Sequence, residues 1–222
     1  MKIVILCAGL GSRLNSNQPK GFIKIKGRTL LERTIKNFLY YKINKKDIFF
    51  ATGFKEKLIQ KKFGKKFKYL YNKKFRSTNM VYTLFNALKK IHNSDIIITY
   101  SDIIYNKKNI LKLIKNKNNV ATLVDFKWKN MWKKKNKLLT DSESLKIKKN
   151  QIIELGKPTR DINKIDGRYV GVIKISKDKL NQIKKLYFSS LKKNKKKFEK
   201  IDMTNFLNYL KKKKIRNKSC KT

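Results

Sequence analysis

Negative charge is the scarcest thing in this chain of 222 residues, with 14 Asp and Glu against 59 Lys and Arg and a formal net charge of +45. Histidine, cysteine and proline are nearly absent too: one His, two Cys and two Pro. Cys7 lies in an apolar run and Cys220 near the far end, which argues against a disulfide framework and excludes a metal cluster built from cysteine. A lone His92 at a helix end reads as structural. No apolar run approaches the roughly 20 residues of a membrane span. The opening MKIVILCAGLG is too short in its apolar part, and too soon rich in glycine, for a signal peptide. A cytoplasmic protein with no membrane span is expected.

The excess of positive charge would ordinarily suggest a nucleic-acid binder. Only seven of the basic residues are arginine (13, 28, 33, 76, 160, 168 and 216), and the lysines are spread along the whole chain without an arm or stripe. Lys, Asn and Ile are enriched together, as an AT-rich coding sequence would favour. The charge therefore reads as surface drift that gives non-specific polyanion binding at low salt, with no specific nucleic-acid partner. Phe and Tyr fall mostly at buried-pattern positions, unlike the stacking platforms of RNA and DNA binders. A basic nucleic-acid-binding protein on an α/β scaffold stays as the alternative from a different class.

With 40% apolar residues, the chain can bury one good core, so residues 1–222 are read as a single domain. Strands expected at 2–7, 47–52, 67–71 and 95–102 alternate with helices expected at 28–41, 55–62 and 78–91, the βαβ rhythm of a parallel sheet. The expected fold class is α/β, a Rossmann-like, mixed but mostly parallel sheet with helices on both faces. In the 78–91 helix, Thr78 or Asn79 stands as the cap.

Residues 5–20, ILCAGLGSRLNSNQPK, carry most of the chemistry. A buried strand empties into a glycine turn in which Gly9 and Gly11 let the backbone bend beside a ligand and turn its N–H groups to an anion. Arg13 offers a planar fork for phosphate oxygens, and Lys20, behind the rigid Pro19, a compact charge. Leu14 stands where a dinucleotide fingerprint needs a third glycine, and no Walker GK[ST] occurs, so neither NAD nor a P-loop ATPase fits. Strand DIIITYSD delivers Asp102 at its carboxyl end, where open α/β sheets place ligands and where a carboxylate can hold Mg²⁺.

The L-x-A-G-x-G-x-R loop followed by P-K resembles the signature of nucleotidyltransferases that join a nucleoside monophosphate to a phosphorylated small molecule. TNMVYTLFNA (78–87) resembles the helix start of bacterial choline-phosphate and phosphonate cytidylyltransferases. So does the ordered series Asp125, Trp128, Trp132, Asp141, Glu143, Gly156-Lys157 and Gly167-Arg168-Tyr169-Val170-Gly171. This resemblance implies a nucleotide-diphospho-sugar transferase type of fold, Mg²⁺ as cofactor, and CTP or another nucleoside triphosphate with a phosphorylated acceptor as partners. A homodimer is left open.

The resemblance further implies that Leu6, Ala8, Gly9, Leu10, Gly11, Ser12, Arg13, Lys20, Thr78 and Asn79 hold the nucleotide. Arg13, Lys20 and Asp102 would be catalytic, with Asp102 on the metal, and Trp128, Trp132, Asp141, Glu143, Lys157 and Tyr169 would face the acceptor. The implied reaction moves CMP from CTP to choline phosphate, a phosphonate or a similar acceptor, with a sugar-phosphate nucleotidyltransferase as the rival. Such enzymes continue past the helix expected at 203–212 into a last strand whose aspartate supplies a second metal ligand. KKKKIRNKSCKT (211–222) reads as the approach to that strand, and the expectation is a truncated or inactive relative. Asp202 reads as a helix N-cap.

Overall fold

The computed structural model describes residues 1–11, 17–133 and 142–222, without the side chains of 131–133. The strands are β1 (Lys2–Cys7), β2 (Lys24–Ile25), β3 (Arg28–Thr29), β4 (Ile48–Thr52), β5 (Lys68–Tyr71), β6 (Ile96–Tyr100), β7 (Val120–Asp125), β8 (Glu143–Lys148), β9 (Gln151–Pro158), β10 (Arg168–Ile175) and β11 (Lys218–Lys221). The helices are α1 (Leu30–Tyr40), α2 (Glu56–Phe63), α3 (Met80–Leu88), α4 (Lys107–Lys115), α5 (Trp128–Lys133), α6 (Lys177–Lys193), α7 (Lys195–Lys200) and α8 (Met203–Lys212).

Nine strands form one sheet in the order β5-β4-β1-β6-β10-β7-β11-β9-β8, and β2 pairs only with β3. β1 lies parallel to β4 on one side and to β6 on the other. Alternation along these strands builds two cores. Val4, Leu6, Ile96 and Ile98 meet α3 and the buried faces of α6, α7 and α8. Ile3, Ile5, Cys7 and Ile97 meet α1, α2 and α4 on the opposite face. The expected mixed sheet with helices on both faces is what forms. No helix among the described residues is long and apolar enough to cross a membrane.

Three details depart from the sequence reading. The helix expected from residue 28 starts at Leu30, because Arg28 and Thr29 pair with β2. Thr29 then caps α1 in a reciprocal box with Glu32. The βαβ rhythm hides β10, which runs antiparallel between β6 and β7. Residues 211–222, read as the approach to a last strand, already contain one: β11 lies parallel to β7 and antiparallel to β9. Its lysine-rich sequence conceals it, since only Ile215, Asn217 and Cys220 are buried there. Asp202 caps α8 as expected, accepting from the Asn205 N–H at 2.8 Å.

Candidate active site

At the carboxyl ends of β1 and β6 the chain leaves a cavity of about 350 Å³, where the topology of an open sheet places ligands. One wall is the turn after β1, in which Gly11 takes a φ of 69°, a conformation that a side chain would strain. A Cβ there would also meet Lys20 Cγ at 3.1 Å. Pro19 opens the short 3₁₀ turn Lys20–Phe22, which holds the Lys20 stem beside the glycine turn. The Lys20 ammonium reaches to 3.7 Å from Asp102 Oδ2, two residues past the end of β6. Both side chains are about one-third exposed, so this ion pair is weak and easily opened by an entering anion.

The facing wall is the stretch from Phe75 to Thr83, including Thr78, Asn79 and Met80. Asn79 caps α3, accepting from the Met80 N–H at 2.7 Å. Its backbone N–H and Nδ2 donate to the Glu199 and Lys200 carbonyls, at 2.7 and 3.1 Å. A Lys74–Glu199 ion pair at 3.3 Å adds a second tie to α7. Asn79, expected to cap this helix and by resemblance to hold the nucleotide, does cap it and spends its other donors fastening the cavity wall to α7.

Tyr100 forms the back of the cavity, and its hydroxyl lies 3.0 Å from that of Tyr169 with the rings edge to face. Tyr169 belongs to a second cleft of about 230 Å³, shared with Glu143 and Arg168. The tyrosine pair is therefore the partition between the two spaces. Burial raises the pKa of both phenols well above the usual value, and the carboxylates Asp102, Glu143 and Asp202 near Tyr100 push the same way. Both hydroxyls are neutral hydrogen-bonding groups, not bases. Burial likewise pushes the Cys7 thiol up, which makes it inert as a nucleophile.

The remaining expected site residues scatter. Leu6 and Ala8 line the cavity as buried residues, whereas Leu10 is exposed outside it. Ser12, Arg13 and Asp141 lie outside the described residues, as does the side chain of Trp132. Trp128 is 1% exposed, with the Arg168 guanidinium and the Lys129 ammonium each 5.9 Å from its ring, so the cations near it belong to the chain itself. Lys157 does not reach the cavity. The β8–β9 register slips between Leu155 and Pro158, and the resulting bulge brings Lys157 Nζ to 2.9 Å from Glu154, in a different cleft beside Asn205 and Asn208. The reading missed Tyr100 and Thr83, although strand and helix periodicity align them with Asp102 and Asn79. Among the described residues, no three His, Cys, Asp or Glu side chains gather as a ready metal cage.

The model of the MobA-like NTP transferase domain matches residues 3–139. The chain belongs to that family. This NTP transferase is 34% identical over 199 residues to the CTP:phosphoglutamine cytidylyltransferase of Campylobacter jejuni subsp. jejuni serotype O:2, covering 84% of this chain and 78% of that protein. Its fold is shared with an inositol-1-phosphate CTP transferase from T. maritima, at a TM-score of 0.72 and 14% identity over 99% of this chain and 84% of that one. The CTP:phosphocholine cytidylyltransferase from Streptococcus pneumoniae gives 0.70 and 16% over 100% and 89%. At such identities the NTP transferase shares a fold with these two, and the glycine turn, Lys20 and Asp102 stand at the strand ends of that fold.

Proposed function

We propose that this NTP transferase moves CMP from CTP to a phosphorylated small molecule and releases pyrophosphate. One observation carries the reading: the glycine turn, Lys20 and Asp102 converge on a single cavity, with opposite charges 3.7 Å apart that a phosphate chain can enter between. The choice of CTP is supported by the phosphoglutamine relative, which covers most of the chain.

The chemistry asks little of the protein beyond placement and charge. An acceptor phosphate oxygen is already ionised, so it attacks the α-phosphorus in line and expels pyrophosphate without a general base. N–H groups of the turn from Ala8 to Gly11 cradle the phosphates, and Lys20 stabilises charge developing around the α-phosphorus. Arg13, by resemblance, holds the outer phosphates. Mg²⁺ usually takes one or two carboxylates and completes its shell with substrate phosphates and water, a donor set that a lone Asp102 fits. Asp102 would hold that ion, which when bound supplies charge neutralisation across the phosphates.

For the acceptor, the cleft behind the tyrosine partition places the Glu143 carboxylate and the Arg168 guanidinium on one lining. Opposite charges on one lining suit a zwitterionic head, such as that of a phosphorylated amino acid, better than a quaternary ammonium alone. Pyrophosphate release, measured at physiological salt with Mg²⁺, each nucleoside triphosphate and a panel of phosphorylated amino acids, amines and sugars, tests both statements. Release with CTP and one acceptor, lowered by about 10²–10³-fold in Lys20→Ala, is the expected result. Release only with a sugar phosphate, or none with any pair, would reject the proposal.

A further inference from the structure

The cavity wall from Phe75 to Thr83 is organised by a side chain that does not line the cavity. Asn72, 1% exposed, receives a hydrogen bond from the Lys74 N–H on its Oδ1 at 2.9 Å. A backbone N–H can only donate, so this contact fixes which end of the amide is oxygen. The NH₂ end donates both hydrogens, to Thr78 Oγ1 at 3.0 Å and to Thr83 Oγ1 at 2.9 Å. Each threonine is an acceptor there and must send its own proton elsewhere. Thr78 sends its proton to the Lys74 carbonyl at 2.8 Å. Thr83 lines the cavity, is 3% exposed, and its hydroxyl donates to no acceptor among the described residues. Helical threonines commonly donate back to the carbonyl four residues earlier. Here that carbonyl, of Asn79, takes the Thr83 N–H at 3.2 Å and makes no bond with the hydroxyl.

We propose that Thr83 is a nucleotide-binding residue: its hydroxyl, oriented by Asn72, donates a hydrogen bond to an acceptor atom of the bound nucleoside, on the base or the ribose. The inference rests on the nucleotide reading of the cavity and adds which group reads the nucleoside. Lys20, the glycine turn and Asp102 form the charged end for phosphates. The facing wall carries Phe75, Met80 and neutral polar groups, which suit the uncharged part of the ligand. Asn72 is a positioning residue, because it fixes the direction of a proton it does not own.

The test is calorimetric binding of CTP with Mg²⁺ to the full chain, alongside the split between kcat and the two KM values. Thr83→Ser keeps the hydroxyl and should bind as the parent does. Thr83→Val should weaken CTP about five- to tenfold, the worth of one neutral hydrogen bond. Its acceptor KM, and its kcat at saturating CTP, should stay within about twofold. Asn72→Asp turns the amide donor into an acceptor for both hydroxyls, draws the Thr83 proton away from the cavity, and should cost the same factor. The Asn72→Asp/Thr83→Val pair should bind no more weakly than either single variant. With 2′-deoxy-CTP, a penalty from Thr83→Val that persists places the partner on the base or the rest of the sugar, and one that vanishes places it on the ribose 2′-oxygen. Thr83→Ala replaces the valine should that variant fail to fold. Parental CTP affinity in a folded hydroxyl-less variant would overturn the inference alone. A parent chain that binds no nucleoside triphosphate would overturn the nucleotide reading and this inference with it.

Discussion

Replacing Gly171 by alanine should be among the costliest single-methyl changes in this protein. Gly171 lies in β10 at a φ of 77°, where the pairing with β7 is irregular between Tyr169 and Ile173. Alanine in the left-handed region costs roughly 1–2 kcal/mol in backbone strain. A Cβ there would lie 2.6 Å from Cδ2 and 2.9 Å from Cε2 of Tyr100, so the ring must retreat by close to an ångström. Overpacking of this kind adds about 1–3 kcal/mol. Retreat also stretches the 3.0 Å bond between the Tyr100 and Tyr169 hydroxyls, worth about 1 kcal/mol. The sum is about 3–6 kcal/mol, a large share of the roughly 5–15 kcal/mol that holds a typical domain folded. Gly27→Ala is the control, at a φ of 75° with open space around the position, so it carries a positive-φ backbone cost without the collision. Urea titrations of the two variants at equal m-values give the difference directly. If Gly171→Ala were within about 0.5 kcal/mol of Gly27→Ala, the steric argument, and with it the rigid partition between the two clefts, would be wrong.

Other outcomes follow from the same geometry. Lys20→Ala should lower kcat/KM by about 10²–10³-fold while barely changing the melting temperature, because the Lys20–Asp102 pair is long and partly exposed and therefore weak. Asp102→Asn should remove the dependence of the rate on Mg²⁺, which a magnesium titration of residual activity would reveal. Tyr100 and Tyr169 are held protonated in the fold while an unfolded tyrosine ionises near pH 10. The unfolded state then binds fewer protons, so stability should fall as pH rises through about 10, and the Tyr169→Phe variant should show a shallower decline. Glu32 runs the other way. Its pKa is lowered to about 2, chiefly by hydrogen bonding to Lys62 and then to Thr29, so its contribution is present above about 4.5 and lost as pH falls toward 2. Glu32→Gln should cost on the order of 1 kcal/mol at neutral pH in chemical denaturation, since the group is exposed and screened.

The sequence displayed what repetition and chain direction make visible. IVILC, IFFAT and DIIIT are uninterrupted apolar runs, so β1, β4 and β6 were legible, and Asp102 followed from where β6 ends. β10 was not, because RYVGVIKI carries a glycine and a buried lysine inside an apolar strand. Lys174 is 5% exposed and caps α4 by donating to the Ile114 and Asn116 carbonyls, a contact fixed only by tertiary structure. β11 was hidden by its charge. The cleft in which Lys157 stands was not legible, because a one-residue slip in a hairpin decides which side a side chain faces, and composition does not record register. Asn72 left no trace, since a single asparagine in a turn looks the same whether it organises two threonines or merely meets water.

The ties between Asn79 and the carbonyls of residues 199 and 200 set an order of assembly. β1, β4, β5 and α3 are all made within the first 88 residues, and the charged end of the cavity is complete once β6 and Asp102 emerge. The facing wall is held early by Asn72 and by α3, but its ties to residues 199 and 200 wait for α7, about a hundred residues later in synthesis. The cavity wall therefore receives its last fastening from the second half of the chain, after the sheet strands that carry its other side. On the nucleotide reading proposed above, stabilisation by CTP should be strongest in chains that extend through residue 200.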